Sequence, residues 1–136
     1  MDLMKMLNEQ GLKATPQRLC MLKILKRHEH PTIDELYAEI KKDYPSIALA
    51  TVYKNLNTLQ KQGLVVVINV ANEKSCYDIY DREHMHIICS KCGSIEDKGF
   101  EEIGMDEYQK KLEKRLGYFI EHFFVCSYVK SCPKCR

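Results

Sequence analysis

Nowhere in these 136 residues does an apolar run approach the ~18 needed to cross a bilayer as a helix, so no membrane span is expected. The opening Met1-Asp2-Leu3-Met4-Lys5 lacks the apolar core of a signal peptide, which points to the cytoplasm. Internal repeats and low-complexity tracts are missing too. A net charge of +2 is too small to identify a nucleic-acid partner by itself. The H-x-E…P-C-x-x-C pattern of zinc deaminases is also absent. Glu83 precedes His84, and Glu29 lies between His28 and His30, so no glutamate stands in register to act as a base. That argues against a zinc hydrolase or deaminase, and the chain is expected not to be an enzyme.

What is present is a composition of 45% hydrophobic and 29% charged residues, that of one soluble domain or two small ones. Seven cysteines in a reducing compartment favour metal binding over disulfides. Four of them form two C-x2-C hooks, Cys89 with Cys92 and Cys132 with Cys135. Together they can supply a complete tetrahedral S4 shell for Zn2+, with no position left for substrate, so such a site is structural. Residues 93–131 separate the hooks, so the metal would tie the chain's last turn back onto an early hairpin of the same unit. Lys91 and Lys134, one inside each hook, would offset part of the thiolate charge. Cys20, Cys76 and Cys126 are left over and are expected to be small buried apolar side chains.

Along the chain, residues 2–10 form a short helix with Leu3, Met6 and Leu7 on one face. Thr15-Pro16 starts a second helix, a capping hydroxyl followed by proline at the first helical position. Thr32-x-x-Glu35 is a capping box that opens a third. The fourth runs from about Ala48 to Gln62, with Leu49, Val52, Leu56 and Leu59 inward and Gly63 as its stop. The period then changes to that of strands, Leu64 to Val70 and Ser75 to Tyr80, around the turn-like Ala71-Asn72-Glu73-Lys74. Helices followed by a hairpin is the order of a winged helix-turn-helix. The fourth helix takes the recognition position, with Thr51, Tyr53, Lys54, Asn55 and Thr58 available outward. The basic stretch Lys13, Arg18, Lys23, Lys26 and Arg27 precedes it.

Residues 81–83 are the expected linker between a DNA-binding domain over 1–80 and a smaller unit over 84–136. The second unit should hold strands near 86–89 and 94–98, one helix over about 101–116 with Met105, Tyr108, Leu112 and Leu116 as its stripe, and a last strand over roughly 118–129. So small a unit has a marginal core and calls for a metal staple or a partner subunit. His84 and His86 alternate by two, so on a strand both point to one face. With Asp78 and Asp97 on neighbouring strands they make a borderline-hard donor set suited to Fe2+, Mn2+ or Zn2+ and unsuited to Cu+. Neither composition nor periodicity selects His30 over His28 or His122 as a further ligand.

The segments Leu12-Lys13-Ala14-Thr15-Pro16-Gln17-Arg18, Ala50-Thr51-Val52-Tyr53-Lys54-Asn55-Leu56 and His84-x-His86-x2-Cys89-x2-Cys92-Gly93 resemble the ferric uptake regulator family of bacterial metal-dependent repressors. The resemblance covers nearly the whole chain. It implies an α+β homodimer with an N-terminal winged helix and a C-terminal α/β dimerisation unit. One zinc would sit on the four cysteines, and a regulatory Fe2+ or Mn2+ on His30, Asp78, His84, His86 and Asp97. The partner would be a palindromic double-stranded DNA operator, contacted by Lys13, Arg18, Thr51, Tyr53, Lys54 and Asn55.

Aspartate at 97, where iron sensors usually carry glutamate, resembles the family's peroxide-sensing branch, as does Asp78. In that branch peroxide cleaved at Fe2+ converts a ligand, here His30 or His84, to 2-oxo-histidine, and the repressor leaves its DNA. The alternatives are an iron-responsive repressor with the same site and, less favoured for want of a thiolate, a zinc sensor recruiting Cys76. Met85 stands where an accessory metal site needs a ligand, so that site is expected to be absent. Ala48 replaces a frequent capping serine, and Lys54 differs from both branches, which leaves the preferred operator open.

Overall fold

Side-chain caps decide where the first helices begin. The Asp2 carboxylate accepts from the Lys5 N–H ahead of α1 (Leu3–Glu9), and the Thr15 hydroxyl accepts from Arg18 ahead of α2 (Pro16–Leu25). Thr32 and Glu35 close a reciprocal capping box on α3 (Ile33–Asp43). Ala48 gives α4 (Leu49–Lys61) no side-chain cap, so its first turn lacks the ~1 kcal/mol a serine would contribute. The amphipathic faces of these helices meet in a core that includes Leu7, Leu22, Leu25, Leu36, Ile40, Val52, Leu56 and Leu59. Leu49 departs from the expected inward stripe. It stands at the first turn of α4, beyond the core, and is 38% exposed.

The computed structural model describes residues 2–70 and 74–135. It divides into two units, Met1–Asn69 with Lys74–Asp81 and Val70–Glu73 with Arg82–Arg136. In the first, β1 (Val65–Ile68) and β2 (Cys76–Ile79) pair antiparallel, Val65 opposite Ile79 and Ile68 opposite Cys76. Of the expected turn, Ala71, Asn72 and Glu73 lie outside the described residues. The architecture is α+β, a winged helix-turn-helix followed by a smaller α/β unit.

In the second unit β3 (His84–Cys89) lies between antiparallel β4 (Ile95–Gly99) and parallel β5 (Val125–Val129). Three expectations are corrected here. The single helix over 101–116 is broken into α5 (Phe100–Ile103) and α6 (Met105–Leu116) by Gly104, whose φ of 71° is a left-handed conformation that ends one helix and starts the next. The last strand is confined to Val125–Val129 because β3 offers partners only from Met85 to Cys89, which leaves residues 118–124 without a ladder. The predicted stripe of α6 is not buried either. No residue of α6 is in the core, and Tyr108 and Leu116 are 55% and 43% exposed. Among the described residues no helix is long and apolar enough to cross a membrane.

Candidate metal centres and DNA-reading helix

Cys89 ends β3, and its backbone carbonyl accepts from Gly93 at 2.8 Å, closing the turn that brings Cys92 round. Ser90 N–H donates to Val129 O at 2.8 Å and holds the first hook beside the end of β5, from which the chain runs to Cys132 and Cys135. All four sulfurs converge as a result. Cys89 and Cys135 Sγ are 3.5 Å apart, as are Cys92 and Cys132, and Cys132 and Cys135 are 3.6 Å apart. These separations far exceed the ~2.05 Å of a disulfide. They approach the ~3.8 Å edge of a tetrahedron with 2.3 Å Zn–S bonds. The donor set therefore fits zinc.

Charge in this cluster is unevenly shared. The Ser94 hydroxyl, 3.5 Å away, is the main influence that lowers the Cys132 thiol to about 6. Cys135 is held partly down by the Cys132 N–H, but burial and the thiols of Cys89, Cys132 and Cys92 push it up to about 12. Sulfurs this close compete for protons, and a divalent cation removes the competition by taking all four as thiolates. The backbone N–H groups of Lys91 and Lys134 help to lower the Cys89 and Cys132 thiols, and Lys91 Nζ donates to Cys135 O at 3.1 Å, tying one hook to the other.

The remaining cysteines correct the expectation of three buried thiols. Cys20 and Cys76 are only partly buried, and Cys126 is exposed on the outer face of β5. Burial and the neighbouring Asp43 carboxylate raise the Cys20 thiol.

The second unit also holds a compact imidazole–carboxylate group. Antiparallel register sets His86 directly opposite Asp97, and His84 lies two residues along the same strand. His84 Nδ1 is 2.8 Å from the Arg82 carbonyl, an acceptor, so that nitrogen carries the proton and Nε2 presents a lone pair. His86 Nε2 lies 3.1 Å from that nitrogen and 3.3 Å from Asp97 Oδ1. Neighbouring ligands ~2.1 Å from one ion stand about 3 Å apart, so these atoms have the spacing of adjacent coordination positions. Both histidines are buried.

The first unit carries its own histidine–aspartate group. Tyr77 N–H donates to Pro31 O at 2.9 Å, and Thr32 bridges Cys76, which clamps the turn before α3 against β2. His30 Nε2 comes within 3.6 Å of Asp78 Oδ2. His28, which neither composition nor periodicity distinguishes from His30, comes closer, with Nδ1 3.0 Å from Asp78 Oδ1. The signal that could have found it was the His28-Glu29-His30 alternation, the same spacing as His84 and His86. Both residues adopt positive φ, 54° and 52°, uncommon for a residue with a Cβ.

On α4, Tyr53 and Lys54 face solvent, while Thr51 and Asn55 are partly buried. Arg18 Nε donates to Asn55 Oδ1 at 3.1 Å, and its Nη1 donates to the Lys13 carbonyl at 3.1 Å. Asn55 Nδ2 in turn donates to Thr51 O at 3.2 Å. Arg18 and Asn55 thus fasten α2 to α4, and Lys13, Tyr53 and Lys54 are the more available of the expected DNA contacts.

Comparison with known proteins agrees with this architecture. A profile of the ferric uptake regulator family matches residues 9–128. The chain is 31% identical over 131 residues to the peroxide-responsive repressor PerR of Staphylococcus aureus, spanning 96% of this chain and 86% of that protein. It is similar to the crystal structure of a Campylobacter jejuni peroxide stress regulator, with a TM-score of 0.83 and 66% identity over 99% of this chain and 100% of that one. It also resembles the ferric uptake regulator of Pseudomonas aeruginosa solved with manganese, with a TM-score of 0.76 and 26% identity over 96% of this chain and 98% of that one.

Proposed function

From the premise that the chain belongs to the ferric uptake regulator family, whose members are DNA-binding transcription regulators, we propose that it is a peroxide-responsive, metal-dependent repressor working as a homodimer. The observation that carries this reading is Asp97 facing His86 within a donor set that contains no thiolate. His84, His86 and Asp97 from the second unit and His30 and Asp78 from the first hold the regulatory ion. Cys89, Cys92, Cys132 and Cys135 hold the structural zinc. Fe2+ supplies one-electron chemistry toward peroxide at the regulatory site, and Mn2+ supplies the same tie without it.

Ligands drawn from both units make metal occupancy set the angle between them. In a dimer, that angle sets the separation of the two copies of α4. Only one separation suits half-sites about 34 Å apart on one face of the duplex. A coupling of this kind is typically worth about 1–3 kcal/mol. When His30 or His84 takes up one oxygen from H2O2 at a ring carbon, with water as the other product, it no longer ligates and the separation is lost.

The second unit supports dimer formation. The outward face of β5 carries Tyr128, 52% exposed, and in the segment before it Phe124 and Phe119 are 47% and 88% exposed. Tyr108 and Leu116 of α6 are exposed as well, and these apolar side chains offer a surface that a partner could cover. A second copy covers it, and the domain roles follow: DNA reading in residues 1–80, a linker over 81–83 and dimerisation in 84–136.

Titration of operator DNA with the Fe2+ and Mn2+ forms, each before and after peroxide, tests the reading. Both forms should bind, and only the Fe2+ form should release DNA after brief exposure. Equal retention by both would leave an iron-responsive repressor. Within this frame Tyr53→Ala should narrow the gap between operator and random DNA. Lys13→Ala should weaken both alike and reduce the salt slope by about 1. An unchanged specificity ratio in Tyr53→Ala would show that α4 is not the reader.

A further inference from the structure

His28 has no part in the ligand set just described, yet its ring lies between two carboxylates. Nδ1 is 3.0 Å from Asp78 Oδ1, and Nε2 is 3.5 Å from Asp81 Oδ2. Asp78 is fully buried, where polar contacts are stronger than in water. Its Oδ1 also accepts the Ile79 N–H at 2.9 Å. Oδ1 therefore accepts the Ile79 N–H and lies within ion-pair distance of the His28 ring, and Oδ2 is the oxygen turned toward His30 at 3.6 Å. The backbone at His28 adopts φ 54°, a conformation disfavoured for residues with a Cβ, and this brings the ring to Asp78.

We propose that His28 is a positioning residue for the regulatory ion: it fixes the Asp78 carboxylate so that Oδ2 is presented to the metal together with His30. The inference rests on the reading of His30 and Asp78 as ligands. A carboxylate on a short side chain can rotate between one-oxygen and two-oxygen presentation. His28 removes that freedom before metal arrives, and Asp81 steadies the far nitrogen of the ring in the same manner. Residues that orient metal ligands in this way typically change affinity about 10–100-fold when lost.

The test uses the full zinc-loaded chain and Mn2+ as the probe. His28→Gly removes the ring while tolerating positive φ. His28→Asn keeps a polar amide near the Nδ1 position, within reach of Asp78, and also tolerates that backbone. Calorimetric titration should show Mn2+ affinity reduced about 10–100-fold in His28→Gly and largely recovered in His28→Asn. Metal-free melting followed by circular dichroism should stay near the wild-type value. Unchanged affinity in His28→Gly, or a fall accompanied by an equally unstable metal-free protein, overturns the proposal. An equal loss in both variants overturns it as well, since the ring itself would then be a ligand. His30→Ala serves as the reference: if it keeps wild-type affinity, the ligand assignment fails first and this inference with it.

Discussion

Cys89→Ser and Cys132→Ser should each yield a chain that retains no zinc and does not form a stable dimer. The apparent binding energy of a four-ligand structural zinc is about 10–16 kcal/mol in small domains. That is as large as the whole net stability of a typical protein, roughly 5–15 kcal/mol. The buried apolar side chains of the second unit are few, chiefly Met85, Ile88, Cys89 and Phe100. No residue of α6 adds to them. Hydrophobic burial cannot replace the tie between the turn after β3 and the hook after β5. Serine oxygen is a poor substitute for thiolate at a soft site, and the remaining three sulfurs are left crowded at 3.5–3.6 Å. Mass-spectrometric metal analysis beside light scattering checks both parts. A zinc-free variant that stays a normal dimer would remove the staple argument.

Asp97→Glu should separate metal binding from peroxide sensing. Asp97 stands directly across the ladder from His86, with Oδ1 3.3 Å from Nε2, so its reach is fixed by the register of β3 and β4. Glutamate moves the carboxylate outward by about 1.5 Å, one C–C bond. It then meets the ion differently and competes for the position peroxide would take. Metal-dependent DNA binding should persist, while oxidation of the wild type by low peroxide, one oxygen on the peptide bearing His30 or His84, should fall strongly. With Mn2+ neither protein should gain that oxygen. The first of those peptides also carries His28, so fragment spectra must place the oxygen on one ring. Oxygen found only on Met85 or the cysteines of the wild type would remove the peroxide reading.

Where the sequence spoke through local chemistry, the structure follows it closely. Thr15 with Pro16 and the Thr32–Glu35 box place two helix starts, and α4 and the two strands after it fall within a residue or two of their expected limits. The failures come where a neighbour decides. β-branched and aromatic residues favour a strand over 118–129, but propensity does not say how many partners β3 can offer. The apolar stripe begins only at Met105, so periodicity says nothing about the break that Gly104 makes just before it, and the stripe itself is not buried. In the site, the four cysteines announce themselves by spacing, and His84 and His86 by alternation. His28 stayed hidden because its meaning depends on Asp78, fifty residues away in the chain and adjacent only through the clamp of Pro31 on Tyr77.

The central strand of the second unit carries one further consequence. His84 and His86 occupy one end of β3 and Cys89 the other, about 17 Å and 10 Å from it respectively at the usual rise per residue. Both neighbouring strands hold it in register along that length, so order at one end limits disorder at the other. If both ends hold metal as proposed, the shared strand gives the two sites a route to influence each other. Whatever factor zinc adds to the affinity of the histidine end, an ion at the histidine end must add, by the same factor, to the affinity of the sulfurs.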